Sequence, residues 1–62
     1  MLKSAAIKRA NKLAKESDYE KAYFVCRDEY EPQRYYVIEE SNYWNSTILE
    51  SDCVYSTVEG HY

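Results

Sequence analysis

The residue types that could do chemistry are sparse in this sequence of 62 residues. The single histidine, His61, and the two cysteines, Cys26 and Cys53, are the candidates for a nucleophile or a metal ligand. A Cys–His nucleophile needs a third group that orients the histidine, and we expect His61 to lie too near the chain end to be held in place. A zinc site needs about four ligands, which these residues do not supply. We therefore predict no catalytic residue, no metal site and no cofactor, and we expect that the protein is not an enzyme.

Two further kinds of chemistry can be weighed against the sequence. The paired acids at positions 28–29 and 39–40 could act as general acid and base only in a pocket that raises one pKa, and a solvated strand edge explains them better. A phosphate-binding loop needs several glycines, whereas Gly60 is the only glycine. Cys26 and Cys53 each lie in a short apolar run, so we interpret them as small buried side chains. A disulfide between neighbouring strands is the alternative.

Charge is distributed unevenly along the chain. The formal net charge is −3, but residues 1–15 contain five of the eight Lys and Arg and none of the eleven Asp and Glu. A basic segment joined to an acidic remainder often marks a charged binding surface, although a solvated lysine-rich helix would give the same pattern. The length and the hydrophobic content of 45% fit a single folded domain over residues 1–62.

The expected location follows from the absence of targeting features. The first seven residues lack the apolar run of a secretory signal, and no stretch approaches the roughly 18 apolar residues of a membrane span. Two cysteines are too few for a secreted disulfide scaffold. We therefore expect a cytoplasmic protein that makes no membrane contact.

Residues 3–17 have the pattern of an amphipathic helix. The apolar side chains that share one arc are Leu2, Ala6, Ile7, Ala10, Leu13 and Ala14. The basic side chains on the opposite side are Lys8, Arg9, Lys12 and Lys15. Because three members of the arc are alanines, the helix can approach a sheet closely.

Three later segments are rich in aromatic and β-branched residues and are predicted as strands, at positions 21–30, 34–40 and 53–58. Pro32 separates the first two, which we expect to form an antiparallel hairpin. We expect residues 41–45 to be a polar connection, residues 47–50 a short strand or helical turn, and residues 60–62 a frayed end. The simplest fold is α+β, an N-terminal helix on one face of a three-stranded antiparallel sheet (αβββ) with 34–40 as the middle strand.

Alternation along each predicted strand separates its side chains into two sets. In the first strand we assign Ala22, Phe24 and Cys26 to the face under the helix, because that set carries no charge. The residues assigned to the same face in the other two strands are Tyr36, Ile38, Val54, Ser56 and Val58. One helix covers only one face, so we expect the other face to expose tyrosine and valine.

The uncovered face is the main functional prediction. Tyrosine and tryptophan are enriched among the residues that contribute most to protein–protein binding, and exposed apolar patches with polar rims mark interaction sites. The predicted partner-binding residues are the aromatic Tyr23, Tyr35, Tyr43, Trp44 and Tyr55 and the acidic Asp28, Glu29, Glu39 and Glu40, with Glu50 also on the rim. Tyrosine is also a good strand residue, so the same side chains could simply cover a thin sheet.

Two other functions stay open. The basic face of the helix could follow the phosphates of DNA or RNA while tyrosines stack on bases. Against this, the sequence pI is about 5.0, and an acidic sheet repels a phosphate backbone but could itself imitate one. The other alternative is an accessory domain that forms a homodimer through an open sheet edge.

Three segments together resemble the small helix-plus-hairpin proteins that bacteriophages carry against bacterial defence. They are residues 8–16 (KRANKLAKE), 22–28 (AYFVCRD) and 34–38 (RYYVI). The resemblance is one of size, element order and tyrosine-rich hairpin, in the style of anti-CRISPR inhibitors, and it assigns a role to no individual residue. It implies a non-enzymatic viral inhibitor in the host cytoplasm. Such an inhibitor docks on a host protein or ribonucleoprotein, a CRISPR-Cas or other nuclease complex, and blocks nucleic-acid access or a conformational step.

Overall fold

In the computed structural model, which describes residues 1–62, an antiparallel sheet has one long helix on one face and a short helix on the other. The elements in chain order are α1 (Lys3–Glu16), β1 (Tyr23–Arg27), β2 (Tyr35–Glu39), α2 (Glu40–Trp44), a 3₁₀ turn (Glu50–Asp52), β3 (Cys53–Ser56) and β4 (Gly60–His61). The four strands lie in the order β2-β1-β3-β4. The α+β class is confirmed, whereas the prediction of three strands is wrong.

The strand β1, and not the segment 34–40, lies in the middle of the three expected strands. The predicted hairpin is present, since β1 pairs with β2 from Tyr23 opposite Glu39 to Arg27 opposite Tyr35. The chain then passes through α2 and the 3₁₀ turn, and β3 pairs with the other edge of β1. The expected meander is wrong because β1 takes the central position, where its three middle residues are buried.

The small side chains of α1 face the sheet, as the sequence predicts. Ala6 and Ala10 are fully buried and form a cluster with Val25 of β1 and Val54 of β3. The helix ends at Glu16, one residue earlier than expected, because the backbone turns into a left-handed conformation at Asp18 and Tyr19 (φ 56° and 62°). This turn redirects the chain towards β1.

The second face of the sheet is covered as well. Phe24 and Cys26 of β1 form a buried cluster with Tyr43 of α2, and Ile48 packs against it. The polar connection expected at residues 41–45 is therefore helical over most of its length and supplies a buried aromatic ring. The expectation of an open face that exposes tyrosine and valine is wrong, because α2 and the segment after it fold back over that face.

Our assignment of side chains to the two faces is reversed in β1 and β2. The set that contains Phe24 and Cys26, together with Tyr36 and Ile38, lies on the face away from α1. The side chains that do pack under α1 from these strands are Tyr23, Val25, Tyr35 and Val37. Size explains the choice, because alanines of α1 leave room for large sheet residues, while small Cys26 leaves room for the ring of Tyr43.

A register irregularity in the β1–β3 pair changes the alternation in β3. Val54 and Tyr55 both pack on the α1 side, whereas Ser56 lies opposite Phe24 on the other face. Of the residues assigned inward, Val54 is confirmed, Ser56 is buried on the opposite face, and Val58 is exposed. Alternation fails here because an extra residue in one strand shifts every later side chain.

The segment expected to fray, residues 60–62, instead contains the edge strand β4. Gly60 has a φ of +83° and begins β4, which pairs with β3 through Tyr55 opposite His61 and Ser56 opposite Gly60. The Ser56 hydroxyl accepts hydrogen bonds from the backbone N–H groups of Val58 and Glu59. Since glycine tolerates a positive φ that other residues avoid, Gly60 makes this turn feasible.

The close approach of α1 to the sheet can be tested at Ala10. Replacing Ala10 by leucine inserts a large side chain where none fits and should lower the free energy of unfolding by about 1–3 kcal/mol. Ala5→Leu is the matched control, because Ala5 lies in the same helix and is exposed, and should change stability by less than about 0.5 kcal/mol. Urea unfolding followed by circular dichroism measures both variants. Equal stability of the two variants would contradict the packing described here.

Candidate functional site

The tyrosines predicted to form one exposed patch are divided between the two faces. Tyr23, Tyr35 and Tyr55 are half-buried against α1, and the Asn11 side-chain amide donates a hydrogen bond of 3.0 Å to the Tyr55 hydroxyl. Tyr43 is buried on the opposite face, and only Trp44 of the five aromatic residues is exposed, at 64%. The prediction of a single flat patch is therefore wrong, because covers on both faces of the sheet enclose most of these rings.

The predicted acidic rim is divided as well. Asp28 and Glu29 follow β1. There the Asp28 carboxylate accepts hydrogen bonds from two backbone N–H groups of the loop, with N–O distances of 2.8 and 3.1 Å. Glu39 and Glu40 lie at the other end of the hairpin, where Glu39 is 3.9 Å from the Lys21 ammonium group. The structure thus does not bring the four acids together, and Asp28 stabilises a turn.

The structure instead forms a concave site on the face away from α1, which we call the aromatic cleft. It has a volume of about 380 Å³, within the range of small-ligand sites. Its lining residues are Phe24, Tyr43, Trp44, Glu50, Cys53, Glu59 and Tyr62. Of the predicted site residues, Tyr43, Trp44 and Glu50 meet here.

Three rings of the aromatic cleft hold one another in place. Phe24 and Tyr43 lie edge to face with centroids 4.7 Å apart, and Tyr43 and Trp44 do the same at 5.1 Å. The rings of Trp44 and Phe24 are also nearly perpendicular, with centroids 6.4 Å apart. Edge-to-face pairs of this kind are favourable beyond the area they bury. The exposed Trp44 ring is therefore held by two buried rings of the core.

The two cysteines lie side by side, and Cys53 lines the aromatic cleft. Cys26 and Cys53 are opposite one another in the β1–β3 pair, and their Sγ atoms are 3.4 Å apart as free thiols. Burial, with a smaller contribution from the contact with Cys53, raises the pKa of the Cys26 thiol above its ordinary value. The interpretation of Cys26 as a small buried side chain is confirmed, whereas Cys53 is half-buried.

Titratable groups elsewhere form no comparable cluster. The His61 ring packs against Tyr55 with centroids 4.9 Å apart. No group of three or more His, Cys, Asp or Glu side chains is arranged to hold a metal ion, and no helix has the length and apolar character needed to cross a membrane.

Two other surfaces differ from the aromatic cleft in shape or composition. The outer face of α1 exposes all four predicted basic residues, and neither salt bridge of the molecule involves them. A larger concavity of about 660 Å³ lies between the N-terminus and the β1–β2 loop, but only Met1 and Leu2 of its six lining residues are hydrophobic. The aromatic cleft alone combines rings, a concave shape and acidic groups.

Sequence reasoning did not place Phe24, Cys53, Glu59 and Tyr62 in a site. The signal that could have identified the last two is Gly60, since a glycine soon after a strand is typical of a hairpin that continues the sheet. That hairpin brings Glu59 and Tyr62 back beside Cys53. Phe24 could be assigned only by knowing which face α1 covers.

The buried thiol predicts how stability depends on pH. Below pH 9.0, the ordinary pKa of this group, Cys26 is neutral in both the folded and the unfolded chain. Above it the unfolded thiol ionises first, so the free energy of unfolding falls as pH rises. Between pH 8 and about pH 10, Cys26→Ala should remove about 1.4 kcal/mol of this loss.

Urea unfolding in the presence of a reductant at the two pH values measures the effect. Cys53→Ala is the control and should retain most of the loss, because burial is the largest cause of the raised pKa of Cys26. An identical fall in stability for the original chain and Cys26→Ala would exclude the buried thiol as its source.

Comparison with other proteins found no relative of this chain. No family model, no curated protein and no solved structure matches the chain. The resemblance to phage inhibitors therefore stays a prediction.

Proposed function

We propose that this protein is a non-enzymatic inhibitor that acts by docking on another protein through the aromatic cleft. The observation that carries the proposal is the exposure of Trp44 and Tyr62, 64% and 61%, at the mouth of a concave site. Rings that stay exposed to solvent add little to the stability of the fold, whereas tryptophan and tyrosine are among the residues that contribute most to binding in protein interfaces. A pocket beside them gives a partner side chain somewhere to insert.

The size of the protein supports stoichiometric binding as the mode of action. Its accessible surface is 4594 Å², so one interface of ordinary size, about 800 Å² on each partner, would cover roughly a sixth of it. The resemblance to phage inhibitors supplies the proposed target, a CRISPR-Cas or other nuclease complex in the host cytoplasm. Inhibition then consists of blocking nucleic-acid access or a conformational step of that complex.

Binding is expected to depend on Trp44. Trp44→Ala should weaken the affinity for the target by about 30-fold, which corresponds to the 2 kcal/mol typical of a strong interface residue. Tyr30→Ala is the matched control, because Tyr30 is an aromatic residue that is 88% exposed and lies outside the cleft. Partners captured from a bacterial lysate are identified by mass spectrometry, and biolayer interferometry then measures each affinity.

A functional assay complements the binding measurement. Expressing the protein in bacteria with defined defence systems should restore phage plating in at least one strain, and Trp44→Ala should abolish this effect while Tyr30→Ala preserves it. If no protein is enriched relative to the Trp44→Ala variant and no defence system is inhibited, the proposal is wrong.

The basic face of α1 favours a second candidate function, the binding of DNA or RNA. Lys8, Arg9, Lys12 and Lys15 are exposed on one helix without acidic partners. Such residues could each neutralise a phosphate. The net charge of the rest of the chain opposes this function, because residues 16–62 contain all eleven acids.

This second candidate makes a distinct prediction about salt. With four phosphate contacts, affinity for a labelled DNA should fall by roughly 100-fold between about 50 and 200 mM salt, as measured by fluorescence anisotropy. The triple substitution Lys8→Glu, Arg9→Glu and Lys12→Glu should abolish binding, and Trp44→Ala should not affect it. Absence of binding at the lower salt concentration would eliminate this candidate.

A further inference from the structure

The geometry points to an arginine side chain of the partner protein as the group that the aromatic cleft binds. This inference rests on the proposed function and names the chemistry of the bound group.

The walls suit a cation with an apolar stem. Phe24, Tyr43, Trp44 and Tyr62 supply four aromatic rings to a site with only three other lining residues. Aromatic faces attract cations because of their quadrupole, and tryptophan does so most strongly. The buried Phe24 and Tyr43 rings offer apolar surface to the methylene groups that carry the charge of a long basic side chain.

The charge of the aromatic cleft is complementary to such a group. The acidic side chains of the lining are Glu50 and Glu59, and no lining residue is basic. Neither salt bridge of the molecule involves Glu50 or Glu59. A cation entering between the aromatic rings would therefore meet negative charge that no lysine or arginine of this chain already neutralises.

Arginine fits these features better than the other common cations. Its planar guanidinium group stacks on aromatic rings, forms paired hydrogen bonds with carboxylates, and is more weakly hydrated than an ammonium group. The cleft offers both an exposed tryptophan ring and carboxylates. A lysine ammonium group would use the charge but gain less from the flat ring.

The test uses the intact protein and small probes, with the fluorescence of Trp44, its only tryptophan, as the readout. N-acetylarginine methylamide should change the emission with half-saturation at millimolar concentration, and added salt should weaken the effect. The citrulline analogue, which has the same shape without the charge, should require at least about 10-fold more. Equal effects of the two probes, or no effect up to about 100 mM arginine probe, would overturn the inference.

Paired variants separate the role of the carboxylates from that of net charge. The double variant Glu50→Gln/Glu59→Gln should raise the half-saturating concentration at least about 5-fold. Glu29→Gln/Glu31→Gln removes the same charge at exposed positions outside the cleft and should have little effect.

Tighter binding of the lysine analogue or of tetramethylammonium would reject arginine as the preferred cation. If light scattering shows a dimer that Arg9→Gln dissociates, the bound arginine belongs to a second copy of this chain and the inference of a different partner protein is wrong.

The outcomes also separate this inference from the proposed function. A partner whose binding depends on Trp44, combined with no response to the arginine probe, would reject the inference and leave the inhibitor proposal standing. A response to the arginine probe with no protein partner and no inhibited defence system would reject the inhibitor proposal and leave the recognition of an arginine side chain by the cleft standing.

Discussion

The rest of the structure depends on the burial of β1 on both of its faces. Phe24, Val25 and Cys26 are consecutive residues that point alternately to the two sides, and all three are buried. A strand of this kind needs a cover on each face and a neighbour on each edge, because both its side chains and its backbone groups must leave water. The chain meets these demands with α1 and α2 as covers and with β2 and β3 as neighbours.

The two covers differ in extent, and the aromatic cleft results from that difference. α1 has 14 residues and lies over the sheet with its alanine side, whereas α2 has five residues. The shorter helix places Tyr43 over the centre of its face but leaves the β3–β4 side of that face open. Trp44, Tyr62 and the acids of the cleft border this opening. Two exposed rings, Trp44 and Tyr62, therefore lie where the second cover ends.

The sequence was sufficient for α1, the β1–β2 hairpin and the α+β class, because helical and alternating periods act over short distances. It was insufficient for the face that α1 covers, since both alternating sets of β1 are apolar and volume complementarity decides between them. The position of β3 depends on the path of residues 40–52, which no local pattern specifies. The predicted grouping on one face is wrong for the same reason. Tyr23, Tyr35 and Tyr55 pack against the core, while Trp44 and Glu50 lie beside Glu59 and Tyr62, which a long-range strand pairing brings to them.

The opposition of charge and shape would give the molecule a defined orientation towards the proposed partner. The basic residues lie on the outer side of α1, and the aromatic cleft with Glu50 and Glu59 lies on the opposite face of the sheet. A positively charged surface of the proposed partner would be attracted to the cleft and repelled by α1, so charge would favour the encounter in which the rings make contact. Because Trp44 rests on Phe24 and Tyr43, which the core already immobilises, its ring loses little conformational freedom on binding. The residues at the mouth of the cleft can therefore contribute to affinity while the residues at its base maintain the fold, and the two contributions can be altered separately.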